Sequence, residues 1–263
     1  REEGSERALP VFEKLAGEFT QGSRTRDQAA ALHYVGECHW RLGNFAEAHR
    51  SLDRALALER SSGDRLSEGK TLNVLGLLSW DEGNYDRAIA DFHKAGAHAQ
   101  EIGDKQLEGA SLNNLSLVYD EQGDYDRSLS QYQRVLELYR GANFPRGVGD
   151  TLGNIGGVYL LLGHFREALG YYEQALSISE QLKSKASMSQ DHGNLGLCLL
   201  GLGDVDAALV HLDRAIELAT EAGMRQDQAH WLRVKGDGLV ERGQYPLGLL
   251  NHRAALAIYE KIG

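Results

Sequence analysis

Apolar residues recur at helical spacing in short blocks, and a glycine closes almost every block. In the segment 64–103, Leu72, Leu75 and Leu78 share one helical face before Gly83 interrupts the pattern. Tyr85, Ala88, Ile89, Phe92 and Ala95 then mark a second amphipathic stretch, which stops at Gly103. The pattern predicts two helices, each ended by a residue able to take the left-handed conformation of a helix cap. Such a pair cannot bury its apolar stripe alone, so it stacks on others of its kind.

The pair repeats along the chain. Gly43, Gly83, Gly123, Gly163, Gly203 and Gly243 are spaced 40 residues apart. Gly63, Gly103, Gly223 and Gly263 keep the same step, with Asn143 and Lys183 in the two gaps. Self-similarity at this interval marks a stacked repeat protein. Small residues form columns at Gly36, Gly76, Ser116, Gly156, Gly196 and Gly236, and at Ala48, Ala88, Ser128, Ala168, Ala208 and Gly248. Phe45, Tyr85, Tyr125, Phe165 and Tyr245 make an aromatic column between them. Six full units are expected, at 24–63, 64–103, 104–143, 144–183, 184–223 and 224–263, in one continuous domain. Residues 1–23 read as the second helix of a truncated unit, because Ala8 and Phe12 fall in the matching columns. The chain ends at a repeat boundary without the polar capping helix that repeat arrays usually carry. It therefore reads as a piece of a longer protein.

Charge narrows the partners. A formal charge of −10 argues against nonspecific affinity for nucleic acid or for anionic membranes. No stretch approaches the roughly 18 apolar residues of a spanning helix, and no signal peptide opens the chain. Two cysteines make no disulfide framework, and a reducing, cytoplasmic setting is expected.

Most candidate chemistry dissolves into the repeat. Cys38 and Cys198 share a core column with Leu78, Val118 and Val158, as small hydrophobes do. The glycines between 147 and 157 lack the G-x-G-x-x-G spacing and no strand precedes them, so they are not a phosphate loop. The histidines are scattered and form no His-Glu-x-x-His. No cofactor, no metal and no catalytic constellation is expected. Some positions depart from their columns. His98, with Gly96 nearby, thins the second helix of the second unit, which suggests a flexible joint, a pH-sensitive contact or a rearranged helix. His192 interrupts a leucine column, Lys235 an aliphatic one, and Pro246 marks the last unit as atypical.

The order Leu, Gly, Tyr, then Gly-x-aromatic, then Ala, aromatic and Ala resembles the tetratricopeptide repeat over residues 24–263. The resemblance implies an all-α fold, a right-handed superhelical solenoid of antiparallel helix pairs. The 40-residue unit is longer than the common 34. Ser111-Leu-Asn-Asn-Leu-Ser116, Thr151-Leu-Gly-Asn-Ile-Gly156 and His192-Gly-Asn-Leu-Gly196 resemble the long units of spindle-orientation adaptors, kinesin light chains and bacterial regulators. In such families the first helices line a concave groove that binds peptides or protein segments.

That register places Lys70, Asn73, Leu77 and Trp80 on the inner face, followed by Asn113, Asn114, Leu117 and Glu121. Asp150, Asn154, Gly157 and Leu160 come next, then Gln190, Asn194 and Leu197. Asn114, Asn154 and Asn194 form a ladder at 40-residue steps. An amide both donates and accepts, so the ladder would suit a peptide main chain; alternatively each Asn bonds a neighbouring helix. Gly153, Gly157, Gly193 and Gly201 leave the wall bare, for close helix packing or for a bulky partner side chain. Asp81, Asp120, Glu121 and Asp150 make the wall acidic, which favours a neutral or basic segment. The expected function is a noncatalytic scaffold that binds a peptide or protein segment, supplied by another protein or by the parent chain. A second reading is the sensory domain of a bacterial regulator whose ligand controls an attached effector.

Overall fold

The computed structural model describes residues 2–20 and 24–262. Arg1, residues 21–23 and Gly263 lie outside it, and with them the expected cap at Gly263. The described residues hold 13 α-helices and no strand. A leading helix, α1 (Glu2–Thr20), is followed by α2 (Thr25–Arg41) with α3 (Phe45–Ser62), and α4 (Arg65–Asp81) with α5 (Tyr85–Ile102). Next come α6 (Lys105–Glu121) with α7 (Tyr125–Gly141), and α8 (Pro145–Leu161) with α9 (Phe165–Gln181). The last pairs are α10 (Lys185–Gly201) with α11 (Val205–Glu221), and α12 (Arg225–Glu241) with α13 (Tyr245–Ile262). The fold is the all-α repeat of helix pairs that the glycine interval predicts.

Local chemistry sets the helix ends. The side chains of Asp64, Asp104 and Ser184 accept hydrogen bonds from backbone N–H groups at the starts of α4, α6 and α10. Asn84, Asp124 and Asp204 do the same for α5, α7 and α11. Each satisfies a donor that the first turn leaves without a partner. Asn143 and Lys183 take φ of 49° and 54°, the left-handed conformation that Gly63, Gly103 and Gly223 hold at other unit ends. The phase of the repeat therefore outranks the side chain's own preference.

The small-residue column is where each pair closes. A Cβ on Gly36 would lie 2.5 Å from Leu52, and one on Gly76 would lie 2.6 Å from Phe92. Gly156 faces Tyr172 and Gly196 faces Leu212 in the same way. These large partners are buried, and they anchor the cores that join one pair to the next. The chain divides into two compact units, residues 1–142 and 143–263.

The column departures keep regular helices. α5 runs unbroken through His98, whose Nε2 stands 3.4 Å from the buried Glu68 carboxylate. Glu68 also takes Arg60 at 2.8 Å and Arg65 at 2.9 Å. A charge cluster fills the thinned position, so no rearranged helix is needed there. Lys235 pairs with Asp213, and Pro246 falls in the first turn of α13, where no intrahelical acceptor awaits its missing N–H. His192 meets His211 ring to ring, Nδ1 to Nδ1 at 3.0 Å. Burial, reinforced by His211, lowers the His192 pKa to about 4.

This pair makes stability depend on pH. Below the ordinary histidine value of 6.5, the unfolded chain takes up a proton that folded His192 refuses. The stabilising preference for neutral His192 is complete above that value and is lost as pH falls towards about 4. His192→Leu restores the column residue and should lessen the acid sensitivity. Denaturant midpoints measured from pH 7 to pH 4 should therefore diverge, with the variant increasingly the more stable. Parallel curves would count against a neutral, half-buried pair.

Candidate functional site

Of the inner-face positions in residues 1–142, most are engaged in the fold. Asn114 Nδ2 donates to Asn73 Oδ1 at 3.1 Å, tying α6 to α4. Here the ladder follows the second of its two readings, an amide bonded to a neighbouring helix. Leu77 and Trp80 pack against the core around Phe92 and Leu115. Asn113 and Leu117 are half-buried, whereas Lys70 and Glu121 stand exposed. The acidic wall is also partly consumed. Asp81 accepts from Trp40 Nε1 at 2.6 Å, and Asp120 accepts from the Tyr132 hydroxyl at 2.8 Å.

Residues 143–263 are different. Asp150, Asn154, Gln190 and Asn194 converge on one open cavity of about 590 Å³, walled by α8, α10 and α12 with α9 at its back. Gly153 opens onto this space, because a Cβ there would touch nothing within 4 Å. Gly193 is the opposite case. A Cβ on it would come within 2.3 Å of the Trp231 ring. At Gly201 the Phe165 ring intrudes, at 2.5 Å. The bare glycines thus separate into two that admit an aromatic ring of the fold and one that faces space. Gly157 faces the Tyr172 hydroxyl at 3.6 Å. Leu160 and Leu197 pack inward, against the cores around Tyr172 and Leu212.

The cavity also draws in residues that the inner-face register passes over. Ile178, Leu182 and Trp231 supply apolar surface, and Arg146, Asp191, Asp227 and His230 supply charge or polarity. Asp191 is only 8% exposed and accepts a hydrogen bond from Ser179. Burial raises its pKa to about 6 against that hydrogen bond, and the nearby Asp150 pushes the same way. Asp150 itself is exposed, with Arg146 Nε 4.0 Å from its carboxylate. Burial lowers the His230 pKa, so its ring is neutral near pH 7. Three carboxylates thus face one guanidinium around the cavity.

A signal for Asp191 and Trp231 exists in the chain. Their column reads Ala31, Thr71, Ser111, Thr151, Asp191 and Trp231, and it turns from small residues to a carboxylate and an indole. Among the described residues no group of three or more His, Cys, Asp or Glu is placed to hold a metal ion. None of the described helices is long and apolar enough to cross a membrane.

Sequence models of the tetratricopeptide repeat match residues 29–62, 67–141, 151–186 and 192–214, together more than half of the chain. No curated protein sequence matches it. Solved structures share the fold. BtubC from P. vanneervenii is 23% identical with a TM-score of 0.72, covering 83% of this chain and 90% of its own. Aspartyl phosphate phosphatase F from Bacillus subtilis is 15% identical with a TM-score of 0.75, over 96% of this chain and 65% of its own. A signal transduction ATPase with numerous domains and a tetratricopeptide repeat sensor, from Pyrococcus horikoshii, is 15% identical with a TM-score of 0.72. It is matched over 98% of this chain but only 43% of its own.

Two glycines on the same face should respond oppositely to one added methyl. Gly193→Ala forces the buried Trp231 ring to move and should cost about 1–3 kcal/mol. Gly153→Ala adds a good helix former over open space and should gain about 0.5–1 kcal/mol. Urea denaturation of both variants checks the pair; equal effects would mean that the cavity is not open at Gly153.

Proposed function

The chain belongs to the tetratricopeptide repeat family, a family of protein-interaction and regulatory modules, and from that premise we propose that it binds an extended peptide or protein segment in the cavity of residues 143–263. The observation that carries this reading is the convergence of Asn154, Gln190 and Asn194 around space left open by Gly153. The amides of Gln190 and Asn194 supply donors and acceptors to match the alternating N–H and C=O groups of a main chain. Ile178, Leu182 and Trp231 offer apolar surface for its side chains. Within residues 1–142, Lys70, Asn113, Leu117 and Glu121 are proposed as binding positions of that unit. The partner is another protein or a segment of the parent chain, and the setting is cytoplasmic, in keeping with two buried free thiols, Cys38 and Cys198.

A second reading, a sensor that relays binding to an attached effector, is favoured by the fold shared with the Pyrococcus sensor-bearing protein. Small-angle scattering with and without a bound peptide separates the two. A scaffold keeps its radius of gyration, and a sensor changes it.

Binding itself is tested with immobilised pools of degenerate heptapeptides and the full chain. Retention of the chain supports the reading. Gly153→Leu places a side chain in the open space and should reduce retention about tenfold while far-ultraviolet circular dichroism stays unchanged. Equal retention of the parent chain and the variant would move the site away from the cavity.

A further inference from the structure

The column that contains Asp191 shows what packing at this position requires. Thr71 donates to Glu59 at 2.9 Å, Ser111 to the Leu107 carbonyl at 2.9 Å, and Thr151 to the Gly147 carbonyl at 2.7 Å. Each short hydroxyl is buried and satisfied within the fold. The column therefore needs nothing larger or charged. Asp191 exceeds that need, and it does so where the chain opens its cavity.

Its surroundings leave the charge unanswered. Among the described residues Asp191 forms no ion pair, and the charged side chain that acts on it is another carboxylate, Asp150. Arg146 stands beside Asp150, and His230 is neutral near pH 7. Asp227 adds a further negative charge to the lining. With a pKa of about 6, Asp191 is mostly ionised at pH 7. A buried carboxylate without a cation is a costly arrangement that a cationic partner group would relieve.

A second, independent group is also incomplete. Trp231 lines the same cavity and is 5% exposed, and its indole N–H has no hydrogen-bond partner. A buried donor of this kind calls for an acceptor; the N–H is itself fully covered, so a peptide carbonyl reaches it only when the ring shifts at the cavity wall. One ligand chemistry answers both: a peptide that carries a cation on a long side chain.

We infer that Asp191 is the specificity-determining residue of this cavity and anchors the arginine or lysine side chain of the bound segment. The inference rests on the peptide-binding reading above and adds to it the identity of one side chain. As a whole residue Asp191 is more than nine-tenths covered and lines the cavity, so a long side chain entering from the cavity is what reaches it.

The test uses the full chain and heptapeptide pools that are degenerate except at one central position, fixed as arginine, lysine, citrulline, leucine or glutamate. Citrulline keeps the shape of arginine and removes its charge. The parent chain should retain the arginine and lysine pools about tenfold better than the citrulline pool. Asp191→Asn should bring all pools to a similar, lower retention. Asp191→Thr places the residue of Thr71 and Thr151 at this site, keeps the fold, and should behave as the asparagine variant does. Equal retention of all pools by the parent chain overturns the anchor and leaves peptide binding standing. A preference for basic pools that survives in both variants overturns Asp191 as its source. Failure of the parent chain to retain any pool removes the peptide-binding reading and the anchor with it.

Discussion

Most helix pairs depend on a close approach between a glycine and a large side chain sixteen positions later. Gly36 receives Leu52, Gly76 receives Phe92, Gly156 receives Tyr172 and Gly196 receives Leu212. With a Cβ at the first position the ring or leucine would have to withdraw. The pair would then splay, and its apolar stripe would no longer meet the next pair. Glycine in mid-helix costs about 1 kcal/mol relative to alanine. The burial of one large apolar side chain returns about 1.5–3 kcal/mol, so the exchange favours the small residue. Close packing of helices, repeated and joined by a few inter-helix hydrogen bonds and ion pairs, builds the tertiary structure; no sheet or disulfide contributes among the described residues.

The same rule produces the cavity by omission. At Gly193 the absent side chain is replaced by the Trp231 ring, and the space is filled. At Gly153, one repeat earlier on the same column, nothing arrives. The difference lies in what the following first helix contributes. Trp231 reaches Gly193 from α12, while the matching residue facing Gly153 is Asp191, which turns to Ser179 on α9 instead. A carboxylate replaces an aromatic ring, and the volume that the ring would occupy stays open beside it.

Buried polar groups fall in a consistent place. Glu59 with Thr71, and Ser179 with Asp191, occupy the same two register positions, with the acid on opposite partners. Glu59 is 1% exposed and is also raised by burial. His33 Nδ1 lies 2.8 Å from the Thr71 hydroxyl that bonds Glu59, which extends that pair into a network. Asp191 has no such extension, and the cavity takes its place.

The amino-acid sequence by itself determined the helices, their ends and their pairing, because those follow from short-range spacing. Period, cap and column are all visible within 40 residues, and even Asn143 and Lys183 obey the phase of the glycines they replace. Asp150, Asn154, Gln190 and Asn194 were legible as a common face for the same reason. What register alone leaves undecided is which side chains on a face meet one another. Only the tertiary structure turned Asn114 to Asn73, drew Leu77 and Trp80 into the core, and left Gly153 open while closing Gly193. It also brought Asp191, Ser179 and Trp231 to the site from the packing side of their helices. Those outcomes depend on how two or three helices share volume, which a single-helix period cannot express.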